Sequence, residues 1–188
     1  MYSVTHKNWL WTQIIKTHLI VDNHVSFDEG MSFVEDAVFM NQLYPFFKNT
    51  IEMQEVIYFY RIRRNSLVSQ DHEKKIRNRI RAAEICDEII HGKRTGDPLI
   101  AAEFKYICIT RIMWNTVSLT KDKRKAIISE LKEKNLFPLR LSCKYTPKSR
   151  KKYKDIKSRI IRTFADYSYT RIGYGGFVFC NYLNSLMK

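Results

Sequence analysis

The sequence predicts a mainly helical α+β chain, in which a short stretch of mixed sheet and one helix beside it precede a C-terminal helical region. Three observations predict it. Apolar residues recur at helical spacing through most of the chain after residue 70. A single run, "IEMQEVIYFY" (Ile51 to Tyr60), is dense in β-branched and aromatic residues as strands are. With 188 residues, 45% of them hydrophobic and 13% aromatic, there is enough apolar surface for a packed core, which excludes disorder as a global description.

Taken in order, "NWLWTQIIKTHLI" places Trp11, Ile14, Ile15 and Leu19 at helical period over about three turns. Ser32, Phe33, Val34 and Glu35 form a Ser-x-x-Glu capping box, with the serine oxygen on a first-turn amide and the glutamate reaching back. A helix is therefore expected to begin there and to continue through Val38, Phe39 and Leu43. Ile51 to Tyr60 reads as one or two short strands, and the Arg-rich "RIRRNSLVSQ" after it as strand end and loop. Ile76, Ile80, Ala83, Cys86, Ile89 and Ile90 keep one helical face, with Gly92 as a stop. Asp97 and Pro98 supply an N-cap and first-turn proline for a second helix with Ile100, Phe104, Ile107, Cys108 and Trp114 inside. A third helix is expected from about Lys121 to Lys134, and no internal repeat interrupts the series.

Charge divides the chain in the same place. Residues 1–70 carry 6 Lys+Arg against 7 Asp+Glu, so the formal net charge of +14 belongs wholly to residues 71–188. The segment 140–171 alone holds 11 basic residues and 2 acidic ones, which calls for a polyanionic neighbour. Within it, "PKSRKKYKDIKSRIIRTFADYSY" sets Tyr153, Ile156, Ile160, Phe164 and Tyr167 at helical spacing among lysines and arginines. That is the pattern of a basic amphipathic helix lying in a membrane interface, and equally of a surface helix packed on its neighbours.

The four cysteines, Cys86, Cys108, Cys143 and Cys180, are 22, 35 and 37 residues apart, so no CxxC or metal-ligand spacing arises with the five scattered histidines. They read as reduced, buried thiols of a cytosolic protein. "MYSVTHKNWLWTQ" lacks a basic n-region followed by an apolar h-region, and so does not read as a secretory signal. The longest uncharged run, Ile172 to Met187, falls about four residues short of the roughly 20 that span a bilayer. The expected location is the cytoplasm, peripheral to the inner face of the cell membrane.

The adjacent acids Glu35 and Asp36 are open to two readings. The capping box explains Glu35, and any carboxylate in a first helical turn gains from the macrodipole, which suffices for Asp36. The order of the surrounding pieces adds a second. A Trp-containing helix (Trp11 to Leu19), then "FDEGMSFVED" with its Glu-Asp pair and apolar continuation, then "YFYRIRRNS" (Tyr58 to Ser66) resembles the acceptor-side half of family 2 glycosyltransferases of the glycosyltransferase A fold, the kind that build bacterial capsule, exopolysaccharide and lipopolysaccharide sugars. The resemblance covers about residues 8–70, a third of the chain.

The resemblance implies that Asp36 is the catalytic base. An inverting transfer needs a carboxylate to accept the acceptor hydroxyl's proton as that oxygen attacks the anomeric carbon. Glu35 would be capping support and an acceptor contact. Arg61, Arg63 and Arg64 would neutralise the diphosphate leaving group, since guanidinium forks match phosphate oxygens, although Arg63 stands where many relatives carry a histidine. A nucleotide-sugar donor, a glycan or lipid-linked acceptor and a divalent metal, Mg or Mn, are implied for the complete enzyme.

The family's nucleotide-binding half, which closes on an Asp-x-Asp motif, has no counterpart here: none of the nine aspartates is spaced two apart, and "GYGG" at 173–176 follows no strand pattern. The chain is therefore expected to be the C-terminal portion of such an enzyme, inactive as this fragment alone and binding no cofactor by itself. Residues 1–70 would be the acceptor-side half of a glycosyltransferase A-like domain and residues 71–188 a helical, basic C-terminal region. The rival reading is a non-enzymatic basic helical module binding nucleic acid or anionic membrane. No nucleic-acid motif appears, so membrane is the expected polyanion.

Overall fold

The computed structural model describes residues 10–51, 58–59, 72–116 and 119–137. Every regular element among the described residues is helical. Five α-helices, α1 (Thr17–Val21), α2 (Glu35–Leu43), α3 (His72–Ile90), α4 (Pro98–Thr116) and α5 (Lys121–Glu133), are joined by 3-10 turns at Leu10–Thr12 and Tyr44–Phe46. The chain is mainly helical, as expected. No strand occurs among the described residues: Ile51, Tyr58 and Phe59 lie in no regular element, and residues 52–57 and 60 of the expected strand run lie outside the described residues. The basic helix expected near 147–169 also lies outside them. Two compact units divide the chain, Met1–Lys105 and Tyr106–Lys188, and α4 runs from one into the other.

In the first unit the core begins at α2. Phe39, Met40 and Leu43 are buried with Val25, and Leu10, Ile15, Ile20, Tyr44, Phe46 and Phe47 pack around them. Phe27 stacks face to face on Phe39, with centroids 4.2 Å apart. The continuous helix expected over Trp11 to Leu19 is broken: a 3-10 turn ends at Thr12, and Lys16 is extended before α1 starts at Thr17. The packing explains the break. Leu10, Ile15 and Ile20 all reach the α2 cluster, and a five-residue interval turns about 140° on a helix, so an unbroken helix could not aim all three inward. Trp11 and Ile14, two of the expected stripe, are left exposed.

α2 packs against α3, whose buried face carries the expected Ile76, Ile80, Ala83, Cys86 and Ile89. α3 stops as its sequence indicates. Gly92 takes φ 71°, its N–H donates to Ile89 O (3.1 Å), and the Lys93 N–H donates to Glu88 O (2.8 Å), the two reciprocal bonds of a Schellman ending. α4 starts with Asp97 as N-cap, its Oδ1 accepting the Leu99 and Ile100 N–H groups at 2.8 and 3.0 Å, and Pro98 as the first helical residue.

Between these ends the chain comes close to the core at Gly96. A Cβ there would lie 2.7 Å from Ile89 Cδ1 and 2.9 Å from Asn41 Oδ1, so the position demands glycine for space. Farther along α4 one expectation fails. Trp114 is 39% exposed, while Ile109, Ile112 and Met113 are fully buried. Trp114 stands about 200° around the helix from Ile112, which puts it off the buried face.

In the second unit, Arg124 of α5 donates to Thr116 O (3.1 Å), a carbonyl at the end of α4, and to Leu119 O (3.0 Å) in the loop that follows. α5 closes on Asn135 at φ 55°, with Leu136 N–H donating to Leu131 O at 2.8 Å. Asparagine here does what Gly92 does for α3. Leu136 and Phe137 are thereby turned back and buried.

Candidate functional site

The segment that leads into α2 is tied down in stages. Asp28 closes a turn through Met31 N–H to Asp28 O (3.0 Å) and Gly30 N–H to its Oδ1 (3.2 Å). Its other oxygen takes a two-pronged bond from Arg81 of α3, Nη2 at 2.8 Å and Nε at 3.2 Å. These bonds raise the proton affinity of the Arg81 guanidinium further above its ordinary value. Next, Ser32 N–H and Phe33 N–H both donate to the side-chain oxygen of Asn78, at 2.7 and 3.1 Å. Asn78 is itself buried and donates through Nδ2 to Lys74 O (2.8 Å). The Phe33 ring lies under the cations of Arg79 and Lys75, 4.8 and 5.9 Å from its centroid.

The capping box does not form. α2 begins at Glu35, the residue before it is Val34 at φ 62°, and no side chain caps the helix. Asn78 takes one of the box's two bonds away: its oxygen accepts the Ser32 N–H to which Glu35 would reach back. A β-branched residue in the left-handed region is a true backbone outlier, and such strain persists only where its surroundings impose it.

Glu35 and Asp36 therefore occupy the first turn of α2 for different reasons than a capping box would give. Glu35 Oε2 is buried with no hydrogen-bond partner among the described residues, an unusual condition for a carboxylate oxygen. Asp36 Oδ1 accepts the Ala37 N–H at 2.8 Å. Burial holds the Asp36 carboxyl above its ordinary value; the Ala37 bond opposes that shift, and repulsion from Glu35 adds to it. A carboxylate whose proton affinity has been raised this way is a better acceptor for a hydroxyl proton than one in water.

Of the other expected site residues, Arg61, Arg63 and Arg64 lie outside the described residues. Tyr58, the first residue of the "YFYRIRRNS" segment, stands with its ring 6.2 Å from that of Trp11, so two separated pieces of the resemblance meet in space. No group of three or more His, Cys, Asp and Glu side chains gathers to hold a metal among the described residues. The described side chains alone do not assemble a site for a divalent ion. Among the described residues no helix is long and apolar enough to cross a membrane.

Asn78 is the residue that sequence patterning misses. A signal existed, because asparagine is a poor interior helix former that competes for backbone bonds, and here it stands in the middle of α3. The known proteins add no relative to this picture: no family model matches the chain, no curated protein matches it, and no solved structure matches it.

Proposed function

We propose that this chain is the acceptor-side portion of an inverting glycosyltransferase of the family 2 type, with Asp36 as the base that takes the proton of the attacking acceptor hydroxyl. The observation that carries the reading is the first turn of α2: a partly buried carboxylate of raised proton affinity, beside a second acid, on a helix start that packing with α3 holds fixed. The Glu-Asp order is one of the pieces that carry the resemblance, and Trp11 and Tyr58, from two others, lie 6.2 Å apart.

In the reaction, Asp36 accepts the hydroxyl proton while that oxygen attacks the anomeric carbon from the face opposite the nucleotide. The donor's diphosphate leaves with the electron pair of the broken bond, and Arg61, Arg63 and Arg64 balance its charge. Glu35 lines the same helix start and takes an acceptor contact. A nucleotide-binding half of the glycosyltransferase A fold would hold the donor together with a divalent metal, Mg or Mn. In that fold a short mixed sheet lies beside α2.

The basic segment 140–171 holds the enzyme on an anionic membrane surface, where lipid-linked acceptors reside, at about 1 kcal/mol per basic residue near the surface. The test is transfer by the longest open reading frame that contains this chain, assayed with labelled nucleotide sugars and anionic vesicles carrying lipid-linked glycans. Label should enter the glycan in a reaction that releases nucleoside diphosphate. If no donor in the panel is consumed, and the protein instead shifts short nucleic acids with steep salt dependence, the chain is a basic binding module.

A further inference from the structure

We propose that Asn78 is a positioning residue for Asp36: by holding the Ser32 and Phe33 N–H groups on its side-chain oxygen, it fixes Val34 in the left-handed region and so sets the direction in which the first turn of α2 presents its acid.

Four contacts from α3 converge on residues 32 and 33, just ahead of that turn. The Asn78 oxygen takes two successive amides, at 2.7 and 3.1 Å, while its nitrogen is anchored one helical turn back on Lys74 O at 2.8 Å. The Phe33 side chain is covered by Arg79 and Lys75 of the same helix. Residues 32 and 33 are thus gripped through main chain and side chain alike, and α2 begins two residues later. Between grip and helix stands only Val34, at φ 62°. A valine released from that grip returns to the extended or right-handed regions it prefers, and the first turn of α2 then changes direction or frays.

The charges near the acid leave few other ways to tune it. Glu35 on its own helix is the charged side chain that acts on it. Lys75 and Arg79 of α3 lie against Phe33, and the 3-10 turns Leu10–Thr12 and Tyr44–Phe46 that flank α2 carry no charged side chain. Burial is therefore the main lever, and burial depends on where the first turn points.

The functional meaning of this clamp rests on the base reading of Asp36, but its test does not. The intact chain is labelled with 13C at aspartate carboxyls, the Asp36 signal is assigned with Asp36→Asn, and its titration is followed by NMR in the native protein, Asn78→Ala and Asn78→Asp. The native Asp36 should titrate above the ordinary aspartate value. Asn78→Ala, which deletes the acceptor, should move the midpoint down toward that value. Asn78→Asp keeps an oxygen for the two amides and adds a negative charge that also disfavours ionisation of Asp36, so it should not lower the midpoint.

A midpoint unchanged in Asn78→Ala while its melting temperature falls makes Asn78 a merely structural residue and overturns the proposal, as does an ordinary Asp36 midpoint in the native chain. If Asn78→Ala does not fold, a lowered midpoint in folded Asn78→Asp overturns it. In the complete enzyme the same Asn78→Ala change should lower kcat about 10–100-fold with KM little altered, as displacement of a reacting group by about 1 Å does. Absence of transfer in the native enzyme with the titration behaving as described would reject the base reading and leave the clamp standing.

Discussion

Lys105 is 7% exposed, and its ammonium is bonded to the carboxylate of Asp87 on α3. The pair is lopsided, since the Asp87 side chain remains 33% exposed and also lies 3.6 Å from His91 Nδ1. Removing one partner or the other should therefore have unequal consequences. Asp87→Ala strands a positive charge in a nearly closed site. A fully buried pair broken in this way costs about 3–5 kcal/mol, and the partial exposure of Asp87 reduces that to about 2–3 kcal/mol. Lys105→Met keeps the aliphatic stem in place and removes the charge, so it should change stability by no more than about 1 kcal/mol in either direction.

The double variant should recover most of what Asp87→Ala loses, because the stranded charge is gone. Thermal unfolding followed by circular dichroism is a sufficient assay. For a chain of this size about 2–4 °C accompanies each kcal/mol, so Asp87→Ala should melt about 4–12 °C lower and the double variant close to native. If Lys105→Met is as damaging as Asp87→Ala, the ion pair is a net stabiliser and the desolvation argument fails.

Other consequences follow from the same geometry. Because burial raises the folded-state pKa of Asp36 above its unfolded value, the stability this group contributes is complete in acid and is lost as pH rises through the folded pKa. Asp36→Asn should accordingly raise the melting temperature at neutral pH and make no difference in acid; equal melting curves throughout would mean that the carboxyl is not desolvated. Gly96→Ala forces a methyl to within 2.7 Å of Ile89 and 2.9 Å of Asn41, which should cost about 1–3 kcal/mol in urea unfolding, and a neutral result would show that the 92–97 turn yields. Asp97→Ala removes two first-turn bonds from α4 and should cost about 1 kcal/mol, with faster amide exchange at Leu99 and Ile100 as the local sign.

How much of this was legible in the sequence depends on how local the deciding interaction is. α3, α4 and α5 were readable in type and nearly in extent, because period, Gly92 and the Asp97-Pro98 pair all act within a turn of where they stand. The N-terminal helix was not, since Leu10, Ile15 and Ile20 are drawn together by a core that forms around α2, and local period cannot anticipate that demand. The Ser32 capping box lost to Asn78, an acceptor 46 residues away in sequence. At the candidate site the acid pair and its place at a helix start were legible. The left-handed Val34 and the clamp behind it were not, because both depend on how α3 meets the loop.

In the proposed reaction Asp36 takes the acceptor proton. The most direct measurement is the turnover of the complete enzyme with Asp36→Asn, which preserves the shape of the side chain and the oxygen that accepts the Ala37 N–H. A general base contributes about 10²–10⁴-fold, so kcat should fall by that factor while circular dichroism and donor affinity remain native. Turnover within about threefold of native, in a protein that folds and binds normally, would contradict the assignment and leave Asp36 as an acid at the start of a helix and nothing more.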